Sequence, residues 1–391
     1  MNSRFNHTAS YVSIYLGSAI SVAGVQAVGP GLPRLQEHFD VTDSKTLWAI
    51  SFYLFPGIIC AVPIGRAADR LGRQLVFASC LMVFGIASLS IPFSGTHWPL
   101  FLGIRVIQGI AFAGIFPLSI VLVAESAKGI SIMKKQGLRS VSQQTADSLA
   151  PLLGGVLATV TWFAPYLIGA LTIPLAIFVF LGIEGPRLLR TTKAVARKRL
   201  NIFQSLPLVM IIFGGFIRFF IKFIPLSGLG ILLVNVHGQT VVFAGIVLAI
   251  SSFVGIFGAL SVGFFVRHYT PFQISLVTML LIAGALASLA FVTHPAAIVA
   301  TVSVFGFADG LFGTVQNSYV SIAVPNELRG AFGGVVAMSR NTGKFLAPLA
   351  VSTILASASL PTAFTITGIF AALSVITIVP LRHYNKVLLD S

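Results

Sequence analysis

The chain has 391 residues, of which 56% are hydrophobic and 9% are charged, and its formal net charge at pH 7 is +15. Soluble globular domains carry about 25% charged residues, so this composition excludes a soluble protein and predicts one that crosses a membrane repeatedly. The positive charge does not indicate nucleic-acid binding, because an excess of Lys and Arg in cytoplasmic loops is typical of membrane proteins.

Apolar runs long enough to cross a bilayer follow one another along the chain. We predict twelve spans, numbered one to twelve in chain order, and therefore an all-α membrane protein. A basic stretch over 184–204 divides them into an N-terminal six-helix half (1–183) and a C-terminal six-helix half (205–391). The spans are expected near 11–33, 47–65, 74–93, 98–124, 139–160, 163–183, 205–233, 239–264, 272–293, 296–320, 331–356 and 362–380.

The distribution of basic residues predicts the orientation of these spans. With both termini placed in the cytoplasm, 18 of the 25 Lys and Arg residues fall in cytoplasmic segments, six of them in the 184–204 linker. Only Arg34 and Lys45 fall in segments on the outer side of the membrane, and the other five lie within spans. This asymmetry predicts a multi-pass protein of a cell inner or plasma membrane with cytoplasmic N- and C-termini.

Two segments repeat at an offset of 197 residues: SQQTADSLAPLL at 142–153 and SRNTGKFLAPLA at 339–350. Gly65 and Gly263 match at an offset of 198, and Gln108-Gly109 matches Asp309-Gly310 less strongly at 201. Near-constant offsets predict two homologous, pseudo-symmetric halves. Parallel repeats of this kind are a transporter architecture, with the binding site expected between the halves near mid-membrane.

The loop between spans two and three reads GRAADRLGRQ, residues 65–74. It resembles the loop signature G-x-x-x-D-R-x-G-R-R/K of the major facilitator superfamily, with Gln74 in place of the last cation. The match implies the twelve-helix fold of that family and a cytoplasmic gate, in which Asp69 closes the inner side between the halves. The matching positions are Gly65, Asp69, Arg70, Gly72 and Arg73.

Two further motifs resemble the same family. RVIQG at 105–109 is similar to its R-x-x-Q-G motif in span four, and SLAPLLGG at 148–155 is similar to the G-P-x-x-G-G element of drug–proton antiporters, with Ala150 in place of the first glycine. Many of those antiporters carry an acid in span one. Here the polar residue of span one is Gln26, so the coupling residue has to lie elsewhere, and Gln26 becomes a candidate substrate contact.

Four cations inside the second half are the most specific feature of the sequence. Arg218 and Lys222 in span seven stand four residues apart, as do Arg340 and Lys344 in span eleven, so each pair shares a helix face. Each charge costs roughly 2.5–3.5 kcal/mol at a helix centre, which excludes a lipid-facing position. Only two acids lie well inside spans, so these cations are candidate ligands of an anionic group. A structural ion pair of Asp309 with Arg340 or Lys344 is the alternative.

The same two acids, Asp147 and Asp309, are the candidate proton carriers. We favour Asp309 because span ten lines the cavity in this family, and we expect Asp147 to matter less. Arg105, a charge within span four, is a third candidate for coupling, with a snorkelling arginine as the alternative.

These features predict a monomeric secondary active transporter that moves a small organic, anionic or zwitterionic molecule across the lipid bilayer by alternating access, coupled to protons and directed outward. Organic-anion uptake by symport, uncoupled facilitation and a transporter-like sensor stay open as alternatives. We expect no enzyme activity, because the sequence contains no nucleophile–base pair or phosphate loop. We also expect no cofactor, no metal site and no nucleic-acid partner, with the proton as coupling ion.

Overall fold

A computed structural model describes residues 2–125, 130–181, 206–322, 329–379 and 382. In these ranges the secondary structure is helical, with short connecting turns, and contains no β-strand. The predicted linker over 184–204 lies outside the described residues. The division of the chain at that linker therefore stays a prediction.

Ten of the twelve predicted spans are identified by their length and apolar character. Eight are long apolar helices, and two more are bent helix pairs, Val12–Gln26 with Val28–Phe39 and Asp43–Ile59 with Ala61–Leu71. The remaining two are spans five and eleven, the long helices Ile130–Val160 and Arg329–Leu355. These two carry the repeated polar segment, which makes them less apolar than the others. The all-α, twelve-helix membrane fold is thereby confirmed.

The helices begin and end as follows. The α-helices are Asn2–Gln26, Val28–Phe39, Asp43–Thr46, Trp48–Leu54, Pro56–Ile59, Ala61–Leu71, Arg73–Ser90, Trp98–Glu125, Ile130–Val160, Ala164–Leu167, Thr172–Leu181, Leu206–Ile231, Val241–Leu260, Val262–Phe265, Pro271–Ser288, Pro295–Ile322, Arg329–Leu355 and Leu360–Leu373. Short 3₁₀ turns follow at Ile91–Ser94, Ile168–Leu171 and Ser374–Thr377, and a π-turn at Leu232–Val236.

Span one bends by 49° at Ala27, directly after Gln26. The segment that follows contains Pro30 and Pro33, and proline removes a helix hydrogen bond and crowds the preceding turn. Span two bends by 54° at Cys60, between Pro56 and Pro63. The bend in span one places the polar Gln26 at a break in the helix.

The chain forms two compact units. The first comprises residues 1–195 with Thr240–Gly245, and the second comprises residues 196–239 with 246–391. In the first unit, aromatic rings cluster where span one ends and span four begins: Phe39, Trp98, Phe101, Trp162 and Tyr166. His38 stacks on Trp162 with ring centroids 4.3 Å apart, and its Nε2 hydrogen-bonds to the Gly95 carbonyl at 2.8 Å.

In the second unit, spans eight and ten touch through their backbones. A Cβ on Gly310 would overlap the carbonyl oxygen of Gly255, and one on Gly306 would overlap that of Ser251. Small residues four apart allow this close approach between membrane helices. Gly109 of span four, which the sequence repeat aligns with Gly310, likewise faces the carbonyl of Tyr53 in span two. The two aligned glycines therefore make the same kind of contact, each within its own unit.

Candidate functional site

Spans seven and eleven pack closely in the second unit, and this packing brings their charged faces together. A Cβ on Gly343 would overlap the carbonyl oxygen of Phe216 and would lie 2.9 Å from the amide nitrogen of Phe220. Gly343 directly precedes Lys344, so the helices meet at the level of the cations. We call Arg218, Lys222, Arg340 and Lys344 the cation cluster.

One aromatic ring lies among three members of the cation cluster. The Lys344 ammonium is 4.8 Å from the centroid of Phe219, and the guanidinium carbons of Arg218 and Arg340 are 5.1 and 5.6 Å from it. The face of an aromatic ring attracts cations within about 6 Å. Sequence reasoning missed Phe219, because it is one of 33 phenylalanines and its only signal is its position next to Arg218.

Asp309 of span ten is held by span seven. Nε of Arg218 donates to Oδ1 at 2.9 Å and Nη2 donates to Oδ2 at 3.1 Å, which makes a bidentate fork. The Lys222 ammonium lies 3.7 Å from Oδ2. Both members of the fork are largely withdrawn from solvent, with side chains 11% and 10% exposed.

The sequence suggested an ion pair of Asp309 with Arg340 or Lys344. The contacts that the structure records do not include this pair, because Asp309 contacts Arg218 and Lys222 instead. Arg340 does reach span ten, but its Nη2 donates to Oδ1 of Asn317 at 2.7 Å. Asn317 lies eight residues, or about two helical turns, beyond Asp309. The register of span eleven against span ten thus directs Arg340 to an amide, while the four-residue spacing in span seven directs both Arg218 and Lys222 to the carboxylate.

Arg105 lies in the core of the first unit, with an exposure of 0%. Its Nε donates to the Ala49 carbonyl at 3.0 Å and Nη1 donates to Oε1 of Gln108 at 2.6 Å. Tyr53 and Tyr166 flank the guanidinium, with ring centroids 4.4 and 5.2 Å away. Complete burial excludes the snorkelling alternative.

Gln108 extends this network to span three. Its Nε2 donates to the Ser88 hydroxyl at 2.9 Å. The hydroxyl of Tyr53 donates to the Ser21 carbonyl at 3.1 Å, which adds span one. The side chain of Arg105 therefore connects several spans of the first unit through neutral groups.

Gln26 and Asp147 meet in the first unit, where Nε2 of Gln26 donates to Oδ1 of Asp147. Small residues allow this contact: Ala23, Ala27 and Ala150 pack together, and a Cβ on Gly154 would overlap the carbonyl oxygen of Ala27. The sequence singled out both polar residues but did not predict that they touch. In the repeat, Asp147 aligns with Lys344, so the two units carry opposite charges at equivalent positions.

The predicted gate residues lie around the turn between spans two and three. Gly72 has φ of 103°, a conformation that favours glycine, and it separates the helices Ala61–Leu71 and Arg73–Ser90. Nη2 of Arg73 donates to Oδ1 of Asp69 at 2.9 Å, and Nη1 donates to Glu125. Arg70 is exposed. No described atom lies within 4 Å of a Cβ built on Gly65, so a side chain at this position would meet open space.

A family model described as Major Facilitator Superfamily matches residues 14–348. The chain is similar to the bacillibactin exporter of Bacillus subtilis (strain 168), with 29% identity over 143 residues that cover 35% of this chain and 36% of the exporter. It is also similar to the class B tetracycline resistance protein of Escherichia coli, with 24% identity over 208 residues that cover 50% of this chain and 51% of that protein. The matched stretches thus span about a third to a half of these relatives.

Solved structures share the fold over nearly the whole chain. The nucleoside transporter NupG aligns with a TM-score of 0.79 at 14% identity, covering 95% of this chain and 99% of its own. A D-xylose–proton symporter aligns with a TM-score of 0.73 at 15% identity, covering 94% and 97%. At these identities the likeness concerns the fold alone.

Proposed function

Because the chain belongs to the major facilitator superfamily, we propose that it is a secondary transporter which exports a small organic anion in a proton-coupled cycle. Family membership and the named relatives are those of transporters and not of enzymes. The proposal places the protein in the cell inner membrane with both termini in the cytoplasm, on the strength of the Lys and Arg asymmetry. The outward direction is supported by the exporter among its relatives.

The charge balance of the second unit is the main observation in support of an anionic substrate. Its described residues contain four cations inside spans and one acid, Asp309. The cations inside these spans therefore exceed the acid by three. Ionised groups in a membrane interior need a compensating partner, and an organic carboxylate or a similar anion supplies one. Arg340 has a buried Nε without a hydrogen-bond partner, which offers a donor for such a group.

The fork on Asp309 supports the proposal of proton coupling. The carboxylate and a substrate anion are ligands of the same kind for Arg218 and Lys222, so they compete. A proton on Asp309 removes the competitor and releases both cations to the substrate. Substrate and proton are thereby linked without touching each other, and the linkage is reciprocal.

The experiment that tests this function is a thermal-shift screen of the purified protein against a panel of organic anions, each with a neutral isostere, followed by transport of the best anion in proteoliposomes. We expect anions to raise the unfolding temperature and their isosteres to have no effect. The variant Arg340→Gln with Lys344→Gln should lose the shift and the transport while its helical content stays that of the wild type. Anion transport by this double variant at the wild-type rate would refute the proposed site.

The matched control is Lys45→Gln, which removes one of the two basic residues outside the spans on the predicted outer side. We expect it to keep both the anion-dependent shift and transport. Equal losses in the control and in the double variant would mean that the effect is one of net charge and not of the cation cluster.

A further inference from the structure

Gly313 lies one helical turn after Asp309 in span ten, directly against the guanidinium of Arg218. A Cβ on Gly313 would overlap Cζ and Nη2 of Arg218 and would lie 2.9 Å from its Nε. In an α-helix the carbonyl of Asp309 is the regular acceptor of the Gly313 amide. Nη2 of Arg218 donates to that same carbonyl at 3.2 Å. The guanidinium therefore occupies the place where a side chain at position 313 would begin.

This contact differs from those of the neighbouring glycines. At Gly306 and Gly310 an added Cβ would meet the backbone of span eight, so a side chain there would push two helices apart. At Gly313 it would meet the far end of a flexible side chain. Alanine at 313 therefore displaces a guanidinium and leaves the helix packing in place.

We infer that Gly313 is a positioning residue, whose missing side chain seats the Arg218 guanidinium on both carboxylate oxygens of Asp309. A methyl group at 313 would unseat the fork and leave Asp309 with Lys222, whose ammonium is 3.7 Å away. The inference rests on the proposed function in one respect: the position of the guanidinium matters for transport because Arg218 exchanges between Asp309 and a substrate anion. The seat itself is a property of the unliganded protein.

The test is therefore made without substrate. The full-length protein is purified in detergent and its thermal unfolding is followed by circular dichroism, across the pH range in which carboxylates titrate. The variants are Gly313→Ala, Arg218→Gln, Asp309→Asn and the combinations of Gly313→Ala with each of the other two. The control is Gly284→Ala in span nine, because no described atom lies within 4 Å of a Cβ built there.

We expect Gly313→Ala to lower the unfolding midpoint by several degrees and Gly284→Ala to leave it unchanged or slightly raised, since alanine favours helix over glycine. In the Arg218→Gln background the Gly313→Ala cost should disappear, because the guanidinium is gone. The pH dependence of the midpoint should weaken in Gly313→Ala, as we also expect for Arg218→Gln. A purely structural role of Gly313 would not change that pH profile.

Two results would overturn the inference: a midpoint and pH profile of Gly313→Ala equal to those of Gly284→Ala, or an undiminished Gly313→Ala cost in the Arg218→Gln background. If Arg218→Gln does not fold, the Asp309→Asn background is used instead: there the Gly313→Ala cost should be reduced, because the guanidinium no longer holds a carboxylate, and an undiminished cost would again overturn the inference. A failure of the proposed function is distinct, since it appears as a wild-type protein that binds no organic anion and leaves this substrate-free measurement unaffected.

Discussion

Arg105 in span four and Arg218 in span seven are both arginines within membrane helices, yet their partners differ in kind. Arg105 is held by a backbone carbonyl, an amide and two tyrosine rings, all of them neutral. Arg218 is held by the carboxylate of Asp309. The repeat aligns Gln108, the amide partner of Arg105, with Asp309. Equivalent positions thus serve a guanidinium in both units, once with an amide and once with an acid.

The difference in partners indicates which of the two arginines can lose its contact under changed conditions. The recorded partners of Arg105 are neutral groups that are not titrated near neutral pH. Arg105 therefore stabilises the packing of the spans of the first unit independently of pH. A proton or a competing anion removes the partner of Arg218, so that contact is reversible. We therefore assign Arg105 a stabilising role and leave coupling to Asp309, although Arg105 was among the candidates that the sequence suggested for coupling.

The largest effect is expected from Arg105→Ala. The substitution leaves the Ala49 carbonyl and the Gln108 amide oxygen without their donor and opens a void between two tyrosines, so the free energy of unfolding should fall by roughly 3–5 kcal/mol. Thermal unfolding by circular dichroism measures it. Arg105→Lys keeps the charge but not the planar fork and should lie between wild type and alanine. Wild-type stability of the alanine variant would contradict the stabilising role of Arg105.

A smaller loss, about 1–3 kcal/mol, is expected from Arg218→Gln, because Lys222 remains near Asp309 and limits the penalty for the orphaned carboxylate. Adding Asp309→Asn removes the orphaned charge and should restore part of the lost stability. No second substitution of an acid can rescue Arg105 in this way, since the contacts recorded for it include none. Additive losses in the double variant would show that the fork is not a pair.

If Asp309 carries the coupling proton as proposed, its protonation removes the competitor for the cations, and the affinity for the proposed substrate anion should rise as the pH falls, by at most about tenfold per pH unit for one proton. Asp309→Asn should bind with little dependence on pH. Asp147→Asn is the matched control and should keep the wild-type profile. An unchanged profile in Asp309→Asn would transfer the coupling role to Asp147 or indicate uncoupled transport.

The smallest effect on stability is expected from Asp69→Asn. Its side chain is 59% exposed, and exposed ion pairs contribute about 0.2–1 kcal/mol. If Asp69 acts as the gate that the family resemblance implies, the variant should transport more slowly while its affinity for the anion stays the same. Arg73→Gln, which loses both Asp69 and Glu125, should slow transport further. Wild-type rates in both variants would remove this loop from the transport cycle.

Much of the fold was predictable because a bilayer imposes a length of about 20 apolar residues on each helix. Spans five and eleven were also predicted as apolar runs, although their polar residues lower their apolar character. The four cations were equally visible, since a charge inside a span is rare. Family and fold could therefore be derived from the sequence alone, and the cations of the proposed site could be named.

The partners of these charges could not be derived. Whether Asp309 meets Arg218 or Arg340 depends on the register between helices that are about 90 and 30 residues apart in sequence, and no local pattern encodes that register. The contact between Gln26 and Asp147 crosses 121 residues. Phe219 and Gly313 were overlooked for a different reason, because their importance comes from what lies beside them in space and not from their own chemistry.

The aromatic cluster of the first unit has a practical consequence for spectroscopy. All three tryptophans, Trp48, Trp98 and Trp162, belong to that unit, and the second unit contains none. Intrinsic tryptophan fluorescence therefore reports on one unit of the protein and is blind to the other. Fluorescence changes on heating or on addition of a ligand will follow the environment of Trp98 and Trp162, the latter stacked on the imidazole of His38. To observe the cation cluster by fluorescence, a fluorophore has to be introduced beside it.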